Sequence, residues 1–151
     1  MIIREAINKA SKELKKNNIN SSLLDSEILM SKVLSKNRDY VILNSEINLK
    51  KEEYDSFKFL VNQRTKGKPI AYLVGSKHFW NYEFDVNKNV LIPRPDSELI
   101  VEQTLKIYKN KKFLRILEIG IGSGCILLSI LKEKKGFIGT GVDISSESLK
   151  V

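Results

Sequence analysis

A glycine-rich run near residue 120 constrains the fold of this chain more than any other feature. The run reads Glu118-Ile-Gly-Ile-Gly-Ser-Gly-Cys125, and it lies between a short apolar stretch and a helical pattern. Glycine adopts backbone angles that other residues avoid, so three glycines at alternate positions predict a sharp turn from a strand into a helix. This arrangement is typical of the first unit of a doubly wound α/β domain.

The segments around the run extend the α/β pattern. Residues 114–119 predict a buried parallel strand, and a helix is expected from about Ser123 to Lys134. Residues 137–144 predict a second buried strand, after which Ser145 or Ser146 begins a third helix. We therefore assign residues 93–151 to the N-terminal part of a Rossmann-like domain, truncated after two strands.

The first 68 residues carry helical patterns instead. One apolar stripe at helical spacing comprises Ile3, Ile7, Ala10 and Leu14. A second helix is expected to begin after Ser21 or Ser22 and to carry Leu24, Ile28 and Leu34 on its apolar face. Helices this short are unstable alone, which predicts a small bundle.

Another helix is expected from about Lys50 to Thr65. Gly67 is expected to stop it, and Pro69 to prevent its resumption. Residues 69–92 then read as a linker and a β-hairpin. Apolar residues alternate there with polar ones, at Trp80, Tyr82, Phe84 and Val86. This period of two predicts a half-buried strand, followed by a turn and a return strand at 90–92.

Composition excludes several classes of protein. Charged residues make up 29% of the chain, and no apolar run approaches the roughly 18 residues of a membrane-spanning helix. A single cysteine excludes a disulfide framework and a cysteine-rich zinc site, and the N-terminus lacks the apolar core of a secretory signal. The net charge is +8, but only 5 of the 26 basic residues are arginine. We therefore expect a cytoplasmic monomer without a metal and without specific nucleic-acid binding.

The spacing of the glycines indicates which nucleotide they serve. The dinucleotide fingerprint places its third glycine five positions after the first, whereas Gly124 lies four positions after Gly120. Glu118 would repel a pyrophosphate but suits a ligand that carries an amino group. Both features resemble motif I of the S-adenosylmethionine-dependent methyltransferases.

Asp143 lies 19 residues after Gly124, at the end of the second predicted strand. A carboxylate at this position can accept hydrogen bonds from both hydroxyls of a ribose, in nicotinamide and adenosyl cofactors alike. The alternative is that Asp143 only caps the next helix. Cys125 is better interpreted as a small buried residue than as a nucleophile, and His78 as an exposed hairpin residue rather than a general base.

Two further stretches make the resemblance specific. Residues 67–75 read Gly-Lys-Pro-Ile-Ala-Tyr-Leu-Val-Gly, and residues 90–98 read Val-Leu-Ile-Pro-Arg-Pro-Asp-Ser-Glu. With the glycine run and Asp143, they resemble the release factor glutamine N5-methyltransferases (the HemK or PrmC family) over essentially the whole chain. The resemblance implies a helical bundle for substrate recognition, a β-hairpin linker and the start of a class I methyltransferase domain.

The resemblance also implies a function. It implies methyl transfer from S-adenosylmethionine to the glutamine amide of the Gly-Gly-Gln motif in peptide chain release factors, which the bundle would contact. The residues that would bind the cofactor are Glu118, Gly120, Ile121, Gly122, Ser123, Gly124 and Asp143. A further loop, Pro93, Arg94 and Pro95, would close over it. The family's catalytic Asn-Pro-Pro-Tyr segment does not occur in the chain.

Other functions stay open at this point. A related enzyme would methylate a glutamine of a ribosomal protein, and nucleic-acid adenine methyltransferases share the amino-nitrogen chemistry. The bundle could also be a non-catalytic piece that binds a release factor, and a nicotinamide-dependent oxidoreductase is the most distant alternative. We expect the 151 residues alone to be inactive and to bind the cofactor weakly.

Overall fold

The computed structural model describes all 151 residues and divides the chain into two units, Met1–Val74 and Gly75–Val151. The first unit consists of five helices: α1 (Ile3–Lys16), α2 (Ser22–Leu34), α3 (Arg38–Leu43), α4 (Lys51–Thr65) and α5 (Ile70–Val74). The second contains the hairpin strands β1 (Ser76–Phe79) and β2 (Tyr82–Asp85), then α6 (Glu98–Ile107), β3 (Leu114–Ile119), α7 (Cys125–Glu133) and β4 (Phe137–Val142). The predicted fold class, helices followed by a hairpin and the start of a Rossmann-like sheet, is confirmed.

The core of the helical unit comes from the stripes that the sequence predicts. The four stripe residues of α1 are all buried, and Phe57 and Val61 of α4 are buried with them. Burying one such large apolar side chain contributes about 2 kcal/mol, so this shared core holds helices that could not persist alone. No helix of the structure is long and apolar enough to cross a bilayer.

Two details of the helical unit differ from the sequence predictions. Leu24 does not lie on the buried face of α2, since 44% of it is exposed, while Asp25 and Ser26 are buried. The pattern misleads because Asp25 pairs with Arg64 of α4, so that a charged residue occupies an interior position. Pro69 does not prevent another helix either: α5 begins directly after it, with the Leu73 N–H donating to the Pro69 carbonyl.

The strand predicted across residues 80–86 is confirmed only over Tyr82–Asp85. Strands β1 and β2 pair antiparallel, with Phe79 opposite Tyr82, so Trp80 and Asn81 form the turn between them. Trp80 adopts a left-handed backbone conformation with φ of +56°. Alternation of apolar residues thus continues across a turn, and residues 90–92 form no strand.

Strands β3 and β4 pair in parallel, with Ile119 opposite Val142. The prediction that β3 is buried on both faces is wrong for this chain, because Leu117 and Ile119 are 61% and 80% exposed. The helix expected after Ser145 is only a 3₁₀ turn, Ser148–Lys150. Phe79, Val101 and Phe137 lie in the core of this second unit.

Candidate functional site

The carboxyl ends of β3 and β4 lie side by side and carry the predicted site residues. In a parallel pair, both strands end at the same edge of the sheet, where α/β proteins bind nucleotides. The loop that follows β3 is fixed to the last residue of β4, because the N–H groups of Gly120 and Ile121 donate to the Val142 carbonyl at 2.8 and 3.0 Å. Asp143 follows Val142 directly, so the glycine loop and the acid are neighbours.

The loop exposes its backbone toward open space. Gly122 and Gly124 have φ angles of +55° and +74°, a conformation that side chains with a Cβ rarely adopt. A Cβ added to Gly120 or Gly122 would meet no atom within 4 Å. The space in front of these two residues is therefore free for a ligand to approach the main chain.

Gly124 does not mark the place where the helix comes closest to the sheet. A Cβ there would meet the side chains of Leu128 and Ile121 rather than a strand. The close approach occurs at two glycines of β4 instead. A Cβ on Gly139 would lie 2.7 Å from Leu127 of α7, and one on Gly141 would overlap Ile121. The bare surface of β4 therefore lets the loop and α7 pack closely against the sheet.

Asp143 is held by backbone donors on both sides. The N–H of Gly122 donates to Oδ2 and that of Ser145 to Oδ1, each at 2.9 Å. These bonds, the one from Ser145 first, hold the pKa of the Asp143 carboxyl below its usual range. The side chain thus joins the glycine loop as the sequence predicts, and it also bonds the turn that follows β4.

Glu118 faces the start of α7. Its Oε2 accepts a 3.0 Å hydrogen bond from the N–H of Leu127, an amide of the first helical turn. Burial raises the pKa of Glu118, and the Leu127 bond partly offsets that rise. One oxygen of the carboxylate is therefore engaged within the protein, next to the start of the glycine loop.

Cys125 is buried at the start of α7, as expected of a structural residue. Burial raises the pKa of its thiol more than the hydrogen bond with the Ser123 hydroxyl lowers it. His78 is exposed on β1. Neither residue has the surroundings of a nucleophile or a general base.

The predicted cofactor loop lies at the start of α6. Pro93 is buried, whereas Arg94 and Pro95 are exposed, and a 3₁₀ turn over Pro95–Ser97 leads into the helix. No hydrogen bond joins these three residues to the glycine loop. The structure thus brings Asp143 and residues 118–124 together, and it does not bring Pro93–Pro95 into contact with them through hydrogen bonds.

Sequence reasoning missed two polar contacts of this unit. Ser148 is buried and bonds both Ser145 and Asn89. Glu133 accepts hydrogen bonds from the side chains at the hairpin turn. Neither contact has a sequence signal beyond polar residues, because the partners are 51 to 59 positions apart or lie inside one short loop.

Comparison with known proteins agrees with the resemblance. Residues 5–75 match the model of the PrmC N-terminal domain. The chain is 42% identical over 127 residues to the release factor glutamine methyltransferase of Buchnera aphidicola subsp. Schizaphis graminum, an alignment that covers 84% of the chain and 46% of that relative. The homologue of the same name from Buchnera aphidicola subsp. Baizongia pistaciae is 37% identical over the whole chain, which covers 54% of it.

A "Bifunctional methyltransferase" of Rickettsia felis is 35% identical over 99% of the chain, which covers 33% of that protein. The chain thus spans between a third and about half of the length of these relatives. The domain model matches only residues 5–75, whereas the alignments with these relatives extend over most of the chain. Residues 5–75 are therefore similar to the PrmC N-terminal domain, and the chain is similar over most of its length to release factor glutamine methyltransferases.

Proposed function

We propose that this chain provides the helical domain and the cofactor cradle of an enzyme that methylates the glutamine amide of the Gly-Gly-Gln motif in peptide chain release factors. The observation that carries the proposal is the 2.9 Å hydrogen bond between the Gly122 N–H and Asp143. It places an open glycine loop beside an acid at the ends of two adjacent parallel strands. The names of the homologous proteins support the reaction, which we assign to the cytoplasm.

The residues at this edge fit S-adenosylmethionine. The open space in front of Gly120 and Gly122 accommodates a ligand against the backbone. Asp143 offers acceptor oxygens to the ribose hydroxyls, and Glu118 offers one to the amino group of the methionine part. When bound, the cofactor supplies an electrophilic methyl group on a sulfonium. The Pro93–Pro95 segment is proposed to close over it.

An amide nitrogen is a weak nucleophile because its lone pair is delocalised into the carbonyl. The enzyme must therefore hold that nitrogen in line with the methyl group, by positioning and hydrogen bonds. The family resemblance assigns this task to an Asn-Pro-Pro-Tyr segment, which is absent from these 151 residues. We accordingly expect the chain alone to bind the cofactor weakly and to transfer no methyl group.

The helical unit is proposed to contact the release factor. A cavity of about 430 Å³ opens between α1 and α4, with buried Ala10 and Phe57 at its floor and Lys9 and Lys58 at its rim. Phe59 lines the same opening and is 62% exposed. An apolar floor, an exposed aromatic side chain and a polar rim are the usual parts of a protein-binding surface.

Calorimetry with S-adenosylhomocysteine and NAD tests the cofactor assignment. We expect the chain to bind the former and not the latter, and Asp143→Asn to weaken binding at least about tenfold, since one amide nitrogen then replaces an acceptor. Glu102→Gln, at an exposed acid of α6, is the control and should leave the affinity unchanged. Binding of NAD alone would contradict the proposal.

The substrate is tested with the protein as its gene encodes it. The protein is incubated with labelled S-adenosylmethionine and, side by side, a release factor, ribosomal proteins and DNA. Label on the release factor glutamine, located by peptide mass spectrometry, is the expected result. Label on a ribosomal protein or on DNA instead would identify one of the alternative substrates and refute the release factor assignment.

A further inference from the structure

A chain of hydrogen bonds leads away from the glycine loop to a distant turn of the second unit. Its first part is the Asp143 carboxylate, which accepts from the N–H groups of Gly122 and Ser145. Its second part is Ser148. The Ser148 N–H donates to Ser145 Oγ at 3.1 Å, and the Ser148 hydroxyl donates to the Asn89 carbonyl at 2.8 Å.

Ser148 links two segments that are far apart in the sequence through its hydrogen bonds. The hydrogen bond to Asn89 spans 59 positions, and only 6% of Ser148 is exposed. Asn89 lies in the turn after β2, a few residues before the Pro93–Pro95 segment. A buried hydroxyl bond of this kind holds a loop in one place, because breaking it leaves a polar group without its partner.

The 3₁₀ turn itself does not need this bond. The Ser145 hydroxyl already accepts from the Ser148 N–H, and the Leu149 N–H donates to the Ser145 carbonyl. The Ser148 hydroxyl is therefore left to bond outside its own turn, and it does so toward the loop that leads to α6.

We infer that Ser148 is a positioning residue that couples the Asp143 end of the cofactor cradle to the turn at residues 87–90, and through it to the Pro93–Pro95 segment. The inference rests on the proposed function. A ribose that donates to Asp143 competes with the Gly122 and Ser145 N–H groups for the same oxygens. A shift of Ser145 moves Ser148, and the Ser148 hydroxyl carries that shift to Asn89.

The experiment is a titration of the ¹⁵N-labelled chain with S-adenosylhomocysteine, followed by amide chemical shifts. In the wild-type chain we expect shifts at Gly122 and Ser145 and also at residues 88–90. Ser148→Ala should keep the shift at Gly122, lose those at 88–90, and weaken binding about threefold to tenfold, as the loss of one hydrogen bond implies. Ser148→Thr should restore the shifts at residues 88–90 and the affinity. Ser146→Ala, which changes an exposed serine nearby, should behave as the wild type.

The outcomes separate this inference from the proposed function. Shifts at residues 88–90 that persist in Ser148→Ala, or an unchanged affinity of that variant, overturn the inference alone. A wild-type chain whose glycine loop does not respond to S-adenosylhomocysteine refutes the cofactor assignment and the inference with it. A purely structural role predicts lower stability of Ser148→Ala with ligand-induced shifts intact, which also counts against the coupling.

Discussion

The indole Nε1–H of Trp80 donates a 2.8 Å hydrogen bond to Glu133, the last residue of α7. Asn81 and the hydroxyl of Tyr82 donate to the same carboxylate oxygen, at 3.3 and 3.2 Å. The backbone N–H of Trp80 in turn donates to Glu98 at the start of α6. One hairpin turn, with a tryptophan in a left-handed conformation, is thus fastened to two helices of its unit.

Replacing Glu133 by alanine should release this turn. We expect Glu133→Ala to cost about 1 kcal/mol of unfolding free energy, since three partly exposed hydrogen bonds are lost and water replaces them. Trp80 is the only tryptophan, so its fluorescence should shift to longer wavelength. Glu147→Ala, which removes only an exposed pair with Lys150, is the control. Unchanged emission in Glu133→Ala would contradict the role of this contact.

The contributions of Glu133 and Asp143 to the stability of the second unit should be lost in acid. Hydrogen bonds, that from Trp80 first, lower the pKa of Glu133, and those from Ser145 and Gly122 lower that of Asp143. An acid whose pKa is lower in the folded state stabilises the fold above its unfolded-state pKa, near pH 4, and loses this effect as the pH falls. Urea unfolding between about pH 6 and pH 3 should show the decline, and Glu133→Gln should flatten it. Equal slopes for the two proteins would exclude Glu133 as a contributor.

The pair of Asp25 and Arg64 should matter more to the helical unit than any surface ion pair. Nε of Arg64 lies 2.7 Å from Oδ2 of Asp25. The side chain of Asp25 is only 3% exposed and that of Arg64 only 18%. Arg64→Ala leaves a buried carboxylate without its partner and should cost about 3 kcal/mol in chemical denaturation. Arg4→Ala breaks the exposed pair with Glu46 and should cost under about 1 kcal/mol. A similar cost for both variants would show that Asp25 finds another partner.

Cys125 should react slowly with iodoacetamide in the folded chain. Only 9% of the residue is exposed, and burial raises the pKa of its thiol, so little thiolate is present at neutral pH. We expect the rate to increase at least about tenfold in guanidinium chloride, where the chain is unfolded. Mass spectrometry of the labelled fraction over time measures both rates. Fast labelling under native conditions would mean that the start of α7 opens readily.

The isolated chain should associate with itself as its concentration rises. Strand β3 pairs only with β4, and its exposed Leu117 and Ile119 lie on a strand whose other edge is unpaired. Leu117→Lys should suppress the association in sedimentation velocity experiments. Phe59→Lys changes an exposed apolar residue of the helical unit and should not suppress it. Association that survives Leu117→Lys would place the contact elsewhere.

The sequence predicts those features of the chain that depend on local patterns. The α1 stripe, the parallel pair β3 and β4 and the neighbouring positions of Gly122 and Asp143 all follow from spacing. Patterns fail where a polar residue is satisfied by a partner far away. The charge of Asp25 predicts a surface position, and only its contact with Arg64, 39 positions later, explains why it is buried.

The hairpin shows another way in which a sequence pattern can mislead. The alternation of apolar residues continues through Trp80, and nothing local marks the turn, because the residue in the left-handed conformation is a tryptophan rather than a glycine or asparagine. The contacts that allow this conformation come from Glu98 and Glu133, residues of two later helices. A turn that is held by tertiary contacts leaves no signature in its own residues.

Gly139 and Gly141 carry no side chain, yet α7 and the glycine loop pack directly against them. Here even a methyl group at position 141 would occupy the volume of the Ile121 side chain. A side chain at either position therefore forces Ile121 or Leu127 to move, so an engineered variant of the cradle has to change these partners together with the glycine.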